Sequence, residues 1–109
     1  MEQFQVLWAE AAVRDLEEIV AYIAVDSPMR ARRILSKIRG DAANLRQFPE
    51  RGRIVPELKD LGLTRWRELI VRPWRILYRI AGNRVLVEVV LDSRRDADAL
   101  LLERLHRSG

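Results

Sequence analysis

Residues 65–95 read RWRELIVRPWRILYRIAGNRVLVEVVLDSRR, and the periodicity inside this stretch decides the fold. Residues 74–80 alternate, with Trp74, Ile76, Tyr78 and Ile80 on one side and Arg75, Leu77 and Arg79 on the other, the period-2 pattern of a half-buried antiparallel strand. Val85, Val87, Val89 and Leu91 repeat that period beyond Ala81-Gly82-Asn83, where Gly and Asn accept the positive φ of a hairpin turn. Residues 66–71 form a first segment, closed off by Arg72-Pro73, because proline interrupts the ladder and makes a turn. A three-stranded meander follows.

With the turns centred on Arg72-Pro73 and Gly82-Asn83, Ile76 lies opposite Leu69 and Val89, and Trp74 opposite Val71 and Leu91. Opposed residues share a face, so one face is almost wholly apolar. The other is a charged lattice in which Leu77 lies between Glu68 and Glu88, with Arg75 and Arg79 diagonal to both. Trp66 falls opposite Arg79, where a guanidinium can stack on an indole. If this face is only structural, its partly exposed ion pairs contribute about 0 to 1 kcal/mol each.

Outward from the meander, residues 4–8 (Phe-Gln-Val-Leu-Trp) alternate as a short edge strand. From Glu10 the period changes: Ala12, Val13, Leu16, Ile19, Val20 and Ile23 recur at helical spacing, giving an amphipathic helix. Ser27 suits an N-cap and Pro28 a first helical position. The second helix carries Ala31, Ile34, Leu35, Ile38, Ala42, Leu45 and Phe48 on its apolar face and ends before Pro49, with Gly40 in its middle suggesting a close helix crossing. The two helices form an antiparallel hairpin whose apolar face covers that of the sheet. Residues 49–64, with two prolines and two glycines, read as a long loop. A last helix spans 96–106, and Leu100, Leu101, Leu102 and Leu105 are more leucines than one of its faces can bury. The fold class is α+β: an N-terminal strand, an antiparallel helical hairpin packed on a mainly antiparallel sheet, and a short C-terminal helix, all within the single domain 1–109.

The chain has 109 residues and no cysteine, which excludes disulfides, thiol catalysis and thiolate metal sites. One histidine makes a His-based metal site improbable, so neither metal nor cofactor is expected. No run of about 18 apolar residues suits a membrane span and the N-terminus lacks signal-peptide features, which points to the cytoplasm. The net charge is +4. Residues 1–48 balance seven basic side chains against seven acidic ones, so the excess lies in 49–109. Eighteen of the 20 basic residues are arginine, which pairs bidentately with phosphate and carboxylate and so suits nucleic acid or an acidic protein partner.

This order of elements resembles the RelE/ParE superfamily of toxins from bacterial type II toxin-antitoxin modules. The resemblance is carried by Ala12-x2-Asp15-Leu16-x2-Ile19-x2-Tyr22-Ile23, Pro49-x2-Gly52-Arg53-x2-Pro56-Glu57-Leu58, Arg67-Glu68-Leu69, the run from Pro73 through Ile80, and Arg94-Arg95-Asp96. It implies a growth-inhibiting toxin neutralised by a cognate antitoxin. Two targets stay open. In the ribosome-dependent mRNA endoribonuclease branch, Arg75 falls on the strand arginine that contacts the scissile phosphate, Arg94 on the arginine after the last strand, and Glu57 on the glutamate base of one subgroup. The lysines of another subgroup fall on Trp66 and Glu68, however, and the tyrosine or histidine expected beyond Arg94 is met only by leucines; Lys59 and His106 are remote substitutes. The ParE-like, plasmid-stabilisation branch, which inhibits DNA gyrase, needs a binding surface and no catalytic set, and it fits those absences better. An inactive relative whose sheet arginines merely pair with Glu68 and Glu88 is the third reading.

Two surfaces follow. The meander register brings Arg72, Arg75, Arg94 and Arg95 to one corner, with Asp92 and Asp96 the only acids nearby in sequence, an excess of positive charge suited to a target or a phosphate backbone. Leu101 and Leu102 on the last helix are the expected antitoxin contacts, the antitoxin being acidic and folding on binding to form a hetero-oligomer.

Overall fold

The computed structural model of the chain describes residues 3–93 and 101–104. Strand β1 (Gln5–Trp8) leads into helix α1 (Glu10–Asp26), then helix α2 (Pro28–Ala43) and a 3-10 turn at Asn44–Arg46. The Ser27 hydroxyl accepts a hydrogen bond from Arg30 N–H, and Pro28 occupies the first turn of α2, as those residue types favour. Then come β2 (Arg53–Ile54), the one-turn helix α3 (Pro56–Lys59), β3 (Trp66–Val71), β4 (Trp74–Ala81) and β5 (Arg84–Asp92). The sheet order is β1-β5-β4-β3-β2, with β1 parallel to β5 at one edge and the other pairs antiparallel.

Three local expectations change. Helix α2 stops at Ala43, and the tighter 3-10 turn swings Leu45 into the core while Phe48 stays exposed. The stretch 49–64 is not one long loop, since β2 and α3 sit inside it; two- and four-residue elements are too short to leave a period. Nor does Gly40 mark a crossing, because an added Cβ there would meet nothing within 4 Å. Gly40→Ala should therefore stabilise the fold by about 1 kcal/mol, the propensity difference at an exposed helical position, read as a higher urea midpoint with an unchanged slope.

The β3–β4 register is the expected one, from Trp66 opposite Arg79 to Val71 opposite Trp74. Between β4 and β5 it holds only from Ala81 opposite Arg84 to Tyr78 opposite Val87, after which a bulge shifts it, so that Leu77 meets Val89, Ile76 meets Val90 and Trp74 meets Asp92. The extra residue is Glu88. A bulge keeps two neighbours on one face, so Val87 and Val90 join the helix-side core with Leu16, Ile38, Leu69, Ile76 and Tyr78, while Val89 and Leu91 cross to the far face. That face is consequently not a plain charged lattice. Leu77, Val89 and Leu91 pack there with Val55 and Leu58 from the β2–α3 segment and with Leu101, beside Trp66.

Candidate functional site

The far face of the sheet and the segment folded over it hold the titratable groups that the sequence singled out. Arg75 on β4 is anchored from two sides. Its Nε donates to Glu68 Oε1 at 2.6 Å, and its two terminal nitrogens fork onto both Glu57 oxygens at 2.5 and 2.7 Å. Glu68 also accepts from Arg53 Nε at 2.7 Å. The Arg75 side chain is only 8% exposed, that of Glu68 0% and that of Glu57 27%. Glu57 reaches the fork because Pro56 begins α3 and because Val55 and Leu58 are buried on either side of it. The hydrogen bond from Arg75 holds the Glu57 carboxyl below its ordinary range, against the opposing effect of burial. The same bond raises the Arg75 guanidinium further above its already high value.

Along the same face Arg79 pairs with Glu88, which also accepts from Trp66 Nε1 at 3.3 Å. The cation over the Trp66 ring is Arg65, at 5.6 Å, and not Arg79, because Arg79 is committed to the carboxylate the bulge turns toward it.

The Pro49-x2-Gly52 motif is pinned to the sheet from beneath. Tyr78 Oη donates to Pro49 O at 2.7 Å and accepts from Gly52 N–H at 2.9 Å, while Arg67 donates to Gly52 O at 2.8 Å and to Glu50 O at 3.3 Å. Burial pushes the Tyr78 hydroxyl above its usual range, so it stays a neutral donor. Asp15 of the first motif is likewise structural. Beyond the end of β1 the edge of β5 is open, and the Asp15 carboxylate accepts from Val90 N–H at 3.0 Å while Arg104 forks onto it at 3.0 and 2.9 Å and reaches Glu88 O at 3.3 Å. The guanidinium of Arg104 is raised by that bond to Asp15. Sequence reasoning missed Arg104, since a C-terminal arginine on a helix looks like any other.

Of the residues singled out in the sequence, Glu57 and Arg75 come together, whereas Arg94 lies outside the described residues. So does Arg95. Ser93 N–H donates to Pro73 O at 2.7 Å, which makes the Arg72-Pro73 turn and the exit of β5 neighbours, and Arg72 is exposed there. Arg75 does not share that corner as an open cation. Its charge is met by Glu68, the lattice neighbour on β3, and by Glu57, which α3 brings in from outside the sheet. Leu101 is buried and Leu102 is 44% exposed, so only the second presents apolar surface. Among the described residues there is no His, Asp and Glu group fit to hold a metal, and no helix is long and apolar enough to cross a membrane.

The family model described as the ParE toxin of the type II toxin-antitoxin system parDE matches residues 6–97. The chain belongs to the ParE toxin family. Within the wider RelE/ParE superfamily, Toxin RelE2 of Caulobacter vibrioides is 37% identical to this toxin over 87 residues, which is 79% of this chain and 89% of that protein. A chromosomal ParDE system from P. aeruginosa superposes with a TM-score of 0.69 at 18% identity, covering 84% of this chain and 98% of that one. The RelBE2 toxin-antitoxin complex of Mycobacterium tuberculosis gives 0.59 at 23% identity, covering 83% and 98%. A free variant of E. coli toxin RelE gives 0.62 at 14% identity, covering 96% and 97%. At these identities the structural likeness establishes the fold of the toxin: the N-terminal strand, the helical hairpin and the five-stranded, mostly antiparallel sheet.

Proposed function

We propose that this type II toxin arrests growth by binding and poisoning DNA gyrase, without chemistry of its own, and that an acidic antitoxin neutralises it in the cytoplasm. The observation that carries the reading is the mutual occupation of Glu57 and Arg75. An endoribonuclease needs a base able to take the ribose 2′-hydroxyl proton and a free guanidinium for the scissile phosphate. Here the candidate base is held below its ordinary range by the very arginine meant for the phosphate, and all three of that arginine's donor groups are directed at carboxylates. The match to the ParE family supports the same target class. Contact with the target is assigned to exposed Arg72 and, from sequence, to Arg94 and Arg95. Among the described residues of the terminal helix, Leu102 is the leucine available to the antitoxin.

Purified toxin should inhibit gyrase supercoiling and leave mRNA intact in primer extension after induction. Folded Glu57→Gln should arrest growth as wild type does, because a non-enzymatic toxin does not need the proton acceptor, whereas the proton-transfer part of a ribonuclease site is worth about 10²- to 10⁴-fold in rate. Codon-dependent mRNA cleavage that disappears in folded Glu57→Gln would assign the toxin to the ribosome instead.

A further inference from the structure

The even balance of charge in the first 48 residues conceals a segregation between the two hairpin helices. Helix α1 carries Glu10, Asp15, Glu17, Glu18 and Asp26 against Arg14 alone, while residues 28–46 carry Arg30, Arg32, Arg33, Lys37, Arg39 and Arg46 against Asp41 alone. Lys37 pairs with Asp41 at 3.2 Å. The five arginines are exposed, and none has a carboxylate partner among the described residues.

Their placement on the helix is regular. With Ala31, Ile38 and Ala42 buried against the sheet, helical geometry sets Ser36, Gly40 and Ala43 along the outward crest, Arg32 and Arg39 along one flank and Arg30 and Lys37 along the other, with Arg33 near the top. Arg46, in the 3-10 turn after α2, borders the same groove as Arg39. The crest is low around Gly40 because Ser36, Gly40 and Ala43 are small, and it is open, since nothing lies within 4 Å of a Cβ placed on Gly40. Met29, three turns before Gly40 on the same face, heads the crest and is 73% exposed; beyond it no large exposed apolar side chain lies before Phe48.

We propose that α2 is a docking surface for double-stranded DNA, lying in the major groove with its small crest toward the base edges and its flanking arginines on the phosphates of both walls. A helix about 10–12 Å across fits a groove about 12 Å wide. The deep, narrow major groove of duplex RNA does not admit one. A single strand needs aromatic stacking platforms, and the exposed crest and flanks carry none. A protein partner would be centred on buried aromatic or aliphatic anchors; on the crest these are limited to Met29 at its N-terminal end, although Arg39 and Arg46 border an open groove against Phe4, Val6 and Trp8 of the β1 edge, where an extended acidic peptide is the competing occupant. The inference is independent of the gyrase reading, because it concerns a face remote in sequence from Arg72, Arg94 and Arg95 and is read without gyrase.

The test is fluorescence anisotropy of the full chain with a random-sequence 20-base-pair DNA duplex, the matching RNA duplex and a polyglutamate peptide, each between 50 and 200 mM salt. The triple change Arg32→Gln, Arg39→Gln, Arg46→Gln should weaken DNA binding at least about tenfold at 50 mM and flatten the slope of log affinity against log salt by about 2.7, three released counterions at about 0.9 each. Gly40→Trp, which raises the crest and removes no charge, should also weaken DNA binding several-fold. If the triple variant melts early, Gly40→Trp decides alone, and unchanged affinity there overturns the proposal. Tighter binding to the RNA duplex or to polyglutamate than to DNA overturns it as well.

Discussion

Arg75→Ala is expected to destabilise the toxin by about 3–5 kcal/mol, far more than the 0 to 1 kcal/mol due to an exposed pair on a sheet. The difference lies in what is left behind. Glu68 has no exposed side-chain surface, and without Arg75 its remaining ion-pair partner is Arg53, whose own side chain is 59% exposed. Glu57 in turn loses the hydrogen bonds that orient α3 over Val55 and Leu58. Most of the cost is the orphaned carboxylate, so Arg75→Met combined with Glu68→Met should recover most of it, as replacing a buried ion pair by apolar residues of similar volume often does. Urea melts of the three proteins measure this, and a loss under 1 kcal/mol for the single variant would contradict the buried network. The pH dependence has a defined sign. Because the folded-state pKa of Glu57 lies below its unfolded value, its contribution is fully present above about pH 5 and is lost as pH falls through the depressed value. A loss of growth arrest in Arg75→Ala therefore reports folding before it reports chemistry.

Gly52→Val should be nearly as damaging. A Cβ at this position would stand 2.6 Å from Glu68 O and 2.7 Å from the Tyr78 hydroxyl oxygen. One of these is strand backbone and cannot yield, so the segment 49–52 must lift away, breaking the Gly52 N–H bond to Tyr78 and the Pro49 bond made by the same hydroxyl. Overpacking of this kind costs about 1–3 kcal/mol and the unsatisfied groups add about 1–3 more. Tyr78→Phe removes the same hydrogen bonds by another route. The double variant Gly52→Val with Tyr78→Phe should therefore be clearly less damaging than the sum of the singles; additive losses in thermal melts would show that the two residues do not act together.

Short-range patterning in 66–91 was enough to place β3, β4 and the helix-side face, because a strand's period of two leaves little freedom once two turns are set. It failed at Glu88, for a reason outside the local sequence. The bulge carries no glycine or proline to announce it, and it is held by Asp15 on Val90 N–H, a contact 75 residues away. The pairing of Arg75 with Glu57 was equally hidden. Glu57 was visible as a motif residue, but α3 is a single turn without a period, so nothing in the sequence aims its carboxylate at β4. Asp15, Gly52 and Arg67 could be named from the sequence as parts of motifs, and only their contacts reveal that they secure the fold.

The pairing of β1 with β5 has a consequence for synthesis. Gln5 lies beside Arg84 and Trp8 beside Val87, and Asp15 waits for Arg104, so the first strand to leave the ribosome has no neighbour in its own sheet until nearly the whole chain has been made. At about 5–20 residues per second, the 79 residues from Gln5 to Arg84 correspond to roughly 4 to 16 seconds during which the hairpin can form but the sheet is incomplete. The β1–β5 pairing, and with it the closed five-stranded sheet, is thereby deferred to the end of translation.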